Sequence, residues 1–270
     1  MKIFRYWKKE SETVQFKGNS IPINARGGSN ESFSEASARA FENIARLKRQ
    51  LLQDEPENLE TYESDILEEP LEFIDDDNIV TRNRYGARIL NSRSTLFIDV
   101  DKPPLKKPNI FVRLFSKPMP EPEQLSAFFE SLARRPECRG LALRVYSTCK
   151  GYRIIVHGRN FSSKEKAAQN LLNAAGSDML YATLCFKQGC FRARLTPKPY
   201  RIKSPTIKLK YPRNQEEEPL VAKWVQLYEK ASQGHAVCRL FGVFGEKLGS
   251  SDIIRYHDDA TGVDSKCPLA

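Results

Sequence analysis

The sequence predicts an α+β fold: a ferredoxin/RRM-like split βαβ core with helical additions on its N- and C-terminal sides. Three observations carry this expectation. Between residues 95 and 196, apolar or alternating segments and helical faces succeed one another as strand, helix, strand, strand, helix, strand, the order of a split βαβ unit. Amphipathic stretches over 35–52 and 218–231 flank that block. Charge is partitioned in the same way. Residues 1–80 hold 10 basic and 17 acidic side chains (net −7), residues 81–213 hold 27 and 8 (net +19), and residues 214–270 hold 6 and 9 (net −3), summing to +9. The chain is therefore divided into an N-terminal strand–helix segment with an acidic stretch (1–80), a basic core (81–213) and a C-terminal helical appendage packed on that core (214–270).

With 270 residues, 40% hydrophobic and 10% aromatic, the chain can bury a core without a metal or disulfide staple. No apolar run approaches the roughly 18–20 residues of a membrane span. Six scattered cysteines and an N-terminus charged from Lys2 point to reduced thiols in the cytoplasm. No GxSxG, Walker A, HExxH or GxGxxG motif occurs, which sets aside serine hydrolases, P-loop NTPases, zincins and dinucleotide enzymes.

In chain order, KIFRYW and TVQF read as short strands before a turn-rich PINARGGSN. Ser32 or Ser34 caps a helix over 35–52, whose Phe41, Ile44, Leu47 and Leu51 fall on one face. The acidic, Pro-interrupted stretch 53–78 reads as irregular helix or loop wrapping the body. GARILNS and STLFIDVD read as a hairpin turning near Asn91–Ser92. After a Pro- and Lys-rich excursion, 121–135 carries a helical face, and LALRVYST and YRIIVHG flank the turn Cys149-Lys150-Gly151. Ser162 caps a helix that Gly176 stops. CFRARLT is a strand with alternating Arg, and 218–231 is a helix. The order of elements over 236–256 is not legible.

Three features within the basic core could do chemistry. On the strand LFIDVD, Asp99 and Asp101 project from one face. Two neighbouring carboxylates repel unless a cation neutralises them, and oxygen ligands so placed suit Mg²⁺ or Mn²⁺ with a triphosphate completing the shell; a solvated strand end is the plainer alternative. In the turn after Tyr146, Ser147 and Gly151 let backbone N–H groups approach an anion and Lys150 adds charge; an ordinary hairpin with Gly at positive φ is the alternative. Asp178 precedes a strand on which Arg192 and Arg194 share one face, followed by Lys198. Paired guanidiniums there would clamp phosphate, the alternative being the solvated side of an edge strand. Cys185 and Cys190 lack the further ligands zinc needs. His257-Asp258-Asp259 reads as a helix end or loop, with a metal or acid–base group as the sharper alternative.

Taken together, these three features resemble the motifs of the archaeo-eukaryotic primase and primase–polymerase superfamily. LFIDVD looks like its hhhDhD strand, YSTCKGYR falls where its small-residue turn ending in His belongs, and Asp178 with RARLTPK resembles its third acidic residue and following basic strand. The likeness spans about residues 86–203. The chain also looks like a bacterial group of proteins with the segments RYW, GGSN-x-S, TRNRYG and CFRARLTPKP, a likeness that brings no activity with it. The superfamily resemblance implies a primase–polymerase type of core in which Asp99, Asp101 and Asp178 hold Mg²⁺ or Mn²⁺. Ser147, Lys150, Arg153, Arg192, Arg194 and Lys198 would hold a nucleoside triphosphate or nucleic acid. It departs from the family at Arg153, where the pattern has histidine, and at Thr196-Pro197-Lys198. An arginine stays protonated and cannot alternate between donor and acceptor. Two functions follow as expectations: metal-dependent nucleotidyl or phosphoryl transfer, or a catalytically inactive module that binds nucleic acid or a nucleotide. Neither calls for a membrane.

Overall fold

The computed structural model describes residues 1–16, 18–53, 66–101, 103, 121–208, 211–213 and 216–270. The chain opens with a long hairpin, β1 (Tyr6–Phe16) and β2 (Asn19–Ser29), paired antiparallel from Tyr6↔Ser29 to Phe16↔Asn19. Helix α1 (Phe33–Gln53) packs across it. Ser32 Oγ accepts the Glu35 N–H at 3.1 Å, so the cap foreseen at Ser32 forms. The segment expected as a turn over 22–29 is strand instead, and its glycines have a packing reason. A Cβ on Gly27 would lie 2.1 Å from the Ala36 carbonyl oxygen of α1, and one on Gly28 would lie 2.2 Å from the Phe4 ring.

Two four-stranded antiparallel sheets form the body. One has the order β3 (Glu69–Phe73), β4 (Asn78–Arg82), β5 (Arg88–Ser92), β9 (Phe191–Arg194). The other has the order β10 (Cys238–Gly245), β7 (Ala142–Thr148), β8 (Tyr152–His157), β6 (Leu96–Val100). In the second sheet β6 and β7 both run antiparallel to the β8 between them, so they are parallel to each other, joined through α2 (Glu121–Ala133). That is a split βαβ unit.

Two expectations are corrected here. The segments around 86–101 do not make a hairpin: β5 and β6 belong to different sheets. Ser92 Oγ accepts the N–H groups of Ser94 and Thr95 at 3.3 and 2.9 Å and turns the chain from one sheet to the other. The strand CFRARLT does not complete the split unit's ladder either. β9 pairs with β5, from Ile89↔Arg194 to Ser92↔Phe191, and on its β6 side the buried Tyr181 hydroxyl is interposed. It lies 2.9 Å from the Phe97 carbonyl and 3.1 Å from that of Arg192, and accepts the Arg192 N–H at 3.3 Å. The far edge of the sheet is filled instead by β10.

The remaining helices are α3 (Lys166–Ala175), α4 (Met179–Gln188), α5 (Glu218–Ser232) and α6 (Asp252–Thr261). Gly176 ends α3 in the left-handed region, as foreseen. α4 was not foreseen, because its apolar residues surround the axis: Met179, Leu180, Leu184 and Phe186 are exposed while Ala182 and Cys185 are buried. The acidic stretch contributes β3; the expectation for 54–65 lies outside the described residues. No helix among the described residues is long and apolar enough to cross a membrane.

The largest core cluster lies on the β6–β8–β7 sheet, where Leu96, Ile98, Val100, Leu143, Val145, Ile154 and Val156 are at most 1% exposed. Phe129 of α2 closes it with Tyr152, Phe241 and Phe244 at ring separations of 5.5–5.8 Å. Each such side chain contributes on the order of 1.5–3 kcal/mol by burial. This apolar face anchors the sheet and leaves the Asp99 end of β6 fixed beside β8.

Replacing Gly27 by Ala drives a methyl group into the α1 backbone. A loss of about 1–3 kcal/mol in chemical denaturation is expected, and an unchanged midpoint would show that the hairpin does not lie on α1 as described.

Candidate anion-binding site at the Asp99 strand end

Asp99 on β6 lies directly opposite Arg153 on β8. The two form a forked pair, Arg153 Nε to Asp99 Oδ1 at 2.8 Å and Nη2 to Oδ2 at 3.3 Å. Arg153 is only 3% exposed, whereas the Asp99 side chain is 42% exposed, so the carboxylate reaches water and the guanidinium does not. Arg153 Nη1 donates to the Arg194 carbonyl at 2.8 Å, and lies 3.3 Å from His257 Nε2 and 3.7 Å from Cys238 Sγ. A guanidinium only donates, so His257 Nε2 accepts, which puts the ring proton on Nδ1, 3.0 Å from Asp258 Oδ1. Asp258 Oδ2 in turn accepts from Arg144 Nη2 at 2.8 Å, and Arg144 Nε donates to the Tyr146 hydroxyl at 3.0 Å. A chain of alternating charge thus runs from the strand end into the core.

The titration shifts agree with this assignment. Burial works against a charged Arg153, yet Asp99, with Cys238 and Tyr181 adding, more than offsets it and holds the pKa above the ordinary value. Burial, with Arg153 adding, keeps His257 below the ordinary imidazole value against the pull of Asp258. His157 is lowered by burial and by Arg144. Burial raises Tyr146 and Cys238, the latter to about 11, so both stay neutral.

A cavity of about 100 Å³ opens where this chain meets the surface, lined by Asp99 and Asp101 together with Lys150, Arg194, Lys198 and Arg201. The volume is below the roughly 300–1,000 Å³ that enclose drug-sized ligands and suits a small ionic group. Lys150 is brought there by the β7–β8 turn, which presses on the end of β6. A Cβ on Gly151 would lie 2.2 Å from the Val100 carbonyl oxygen and 2.8 Å from Asp101 Cα. Close approach, rather than the positive φ expected of a hairpin glycine, is why glycine stands there; Gly151 is not among the positive-φ residues.

The guanidinium of Arg194 has no hydrogen-bond or ion-pair partner among the described residues, and its pKa is lowered by burial and by the neighbouring Arg153. Arg201 Nε is buried and also without a partner. With Asp99 already paired to Arg153, the lining holds more cation than anion, and an incoming anion would relieve it.

The expected site residues separate into two groups. Asp99, Asp101, Lys150, Arg153, Arg194 and Lys198 meet around one cavity. Arg153, expected to hold phosphate, is instead engaged inward by four groups. Asp178 is exposed, and its Oδ1 accepts the Leu180 N–H at 2.7 Å as the cap of α4. Among the described residues no three His, Cys, Asp or Glu side chains are grouped to hold a metal ion, so the three aspartates expected to bind Mg²⁺ or Mn²⁺ do not form such a group. Arg192 shares a strand face with Arg194 as foreseen, but both Glu68 carboxylate oxygens, at 2.6 Å, close it off. Ser147 sits in the β7 ladder opposite Tyr152, and Thr148, not Ser147, lines the cavity. His257, Asp258 and Arg201 take part without having been singled out as site residues; the His-Asp-Asp run was the visible signal. No protein-family model, curated protein or solved structure matches the chain.

Replacing Arg153 by Met strips His257 and the Arg194 carbonyl of their donor. A cost of about 3 kcal/mol is expected, at the lower end for a broken buried pair because Asp99 reaches water. Full stability after this change would mean that the chain of polar contacts is not structural. Both buried histidines have folded pKa values below their unfolded value near 6.5. The unfolded chain therefore binds protons that the folded one refuses, so stability is full above about pH 6.5 and falls as pH drops toward the lower folded values. Melting temperatures measured from about pH 7.5 to 5.5 should decline, with a shallower slope in His257→Asn. Parallel slopes in the two proteins would contradict a neutral His257.

Proposed function

We propose that the protein is a phosphate-recognising module that binds a nucleotide or nucleic acid through the cavity at the Asp99 strand end, on a core of the primase–polymerase type. One observation carries the proposal: Arg194 and Arg201 line that cavity, the Arg194 guanidinium with no hydrogen-bond or ion-pair partner and the buried Arg201 Nε with no acceptor among the described residues. Guanidinium forks match phosphate oxygens, and Lys150 and Lys198, with no ion-pair partner among the described residues, add charge at the same place. The net +19 of residues 81–213 would supply the long-range attraction for a polyanion. The primase-like character rests on the order of the three motifs and is supported by the split βαβ order of β6, β7 and β8.

A binding module is favoured over an enzyme by how the carboxylates are used. Asp99 is held by Arg153 and Asp178 by the α4 N-terminus. Metal-dependent nucleotidyl or phosphoryl transfer is a second reading, favoured by Asp99 and Asp101 bordering the same cavity as the cations. There Asp99 and Asp101 would hold Mg²⁺ or Mn²⁺, which would supply neutralisation of developing charge.

Titration of the intact chain with a fluorescent oligonucleotide should show affinity falling steeply between about 50 and 200 mM salt. Arg194→Ala and Lys198→Ala should each weaken it, while Asp101→Asn, which spares the Asp99–Arg153 pair, leaves it unchanged or strengthens it by removing repulsion. The second reading predicts the reverse for Asp101: loss of a Mn²⁺-dependent thermal shift and of incorporation of labelled NTPs on a template. Salt-independent binding, or none at low salt, would remove the first reading.

A further inference from the structure

We propose that Tyr200 is a base-stacking platform beside the cavity, and that the ligand of this site is single-stranded nucleic acid rather than duplex. The inference rests on the phosphate-binding reading above and goes beyond it by naming the ligand's form and the side chain that selects it. Tyr200 stands on a single 3₁₀ turn, Pro199–Ile202, between the cavity residues Lys198 and Arg201, and is 61% exposed. A tyrosine left this far in water, paired with no aromatic ring among the described residues and with the Arg201 guanidinium carbon 5.9 Å from its ring centre, offers a face that an unstacked base can cover. Its hydroxyl is held below the ordinary phenol value by the hydrogen bond to Arg201 and by the charges of Lys198, Arg201 and Lys150, so the ring stands inside the positive field of the cavity.

The segment carrying the ring is fastened at both ends by α5. The Tyr228 hydroxyl donates to the Pro197 carbonyl at 2.6 Å, and Trp224 Nε1 donates to the Pro205 carbonyl at 2.8 Å. Within it, Lys203 adopts φ +55, the one non-glycine positive φ among the described residues, and its side chain is exposed. Backbone held in that region persists only where the surroundings enforce it. A ring placed in water on a loop tied down on both sides is pre-organised, so little ordering cost falls on binding. In a duplex both faces of a base are already stacked on its neighbours, so only single-stranded bases are free to lie on Tyr200. Phosphates flanking such a base would reach the cavity on one side and the exposed Lys203 on the other.

The test compares the intact protein and Tyr200→Ala against three probes at low salt: a mixed-sequence single-stranded oligonucleotide, its duplex, and an abasic strand with the same backbone. The wild type should bind the single strand more tightly than the duplex or the abasic strand. Tyr200→Ala should lose about 5- to 150-fold on the single strand and nothing on the abasic strand, while Tyr200→Phe, which keeps the ring, behaves as wild type. If Tyr200→Ala binds the single strand like wild type while Arg194→Ala weakens every probe, stacking is refuted and the phosphate site stands. If no probe binds even at low salt, both fail together. Preference of the wild type for duplex would also overturn the inference.

Discussion

A guanidinium buried as deeply as that of Arg153 is tolerable only if its donors are met and its charge is balanced. Asp99 does most of the balancing, because the β6–β8 register sets the two residues opposite each other. The Arg194 carbonyl and His257 take the third nitrogen. Each contact fixes something else. The pair locks β6 against β8, the carbonyl contact holds β9 near the sheet it does not pair with, and the histidine ties in α6. The tautomer of His257 follows from the fact that Arg153 cannot accept, and Asp258 and Arg144 follow from the tautomer.

This arrangement decides what the surface can do. Arg153 stands where the resembled family has a histidine that touches nucleotide, yet it faces inward and neutralises the first carboxylate of the expected metal site. Lys150, Arg194, Lys198 and Arg201, which form no ion pair among the described residues, line the cavity. The inward turn of Arg153 and the basic lining of the cavity thus belong to one arrangement. Binding needs that lining, whereas metal chemistry would need carboxylates that are largely committed elsewhere.

Much of the core was legible in the sequence, and the failures have physical causes. Period-2 alternation placed Asp99, Arg153 and Arg194 on strands, and helical spacing located α1, α2, α3 and α5. Register is invisible in sequence, so the Asp99–Arg153 pairing across 54 residues and the His257 contact across 104 could not be read. Arg192 and Arg194 look alike on β9, but Glu68, 124 residues earlier, reaches only the first. Asp178 reads as a ligand through the motif resemblance, and α4, whose apolar residues surround its axis, gives no helical period for a cap to announce. The ladder position of β9 depended on a single inserted hydroxyl, that of Tyr181.

The most direct measurement follows the side-chain Nε–H resonances of the arginines by NMR while the intact protein is titrated with inorganic pyrophosphate. The expected result is a saturable shift of Arg194 and Arg201, which line the cavity, with Arg153 unmoved because its partners are internal. Shifts at Arg153 with Arg194 silent, or silence at all three, would contradict the assignment of a closed Asp99–Arg153 pair beside an open basic rim.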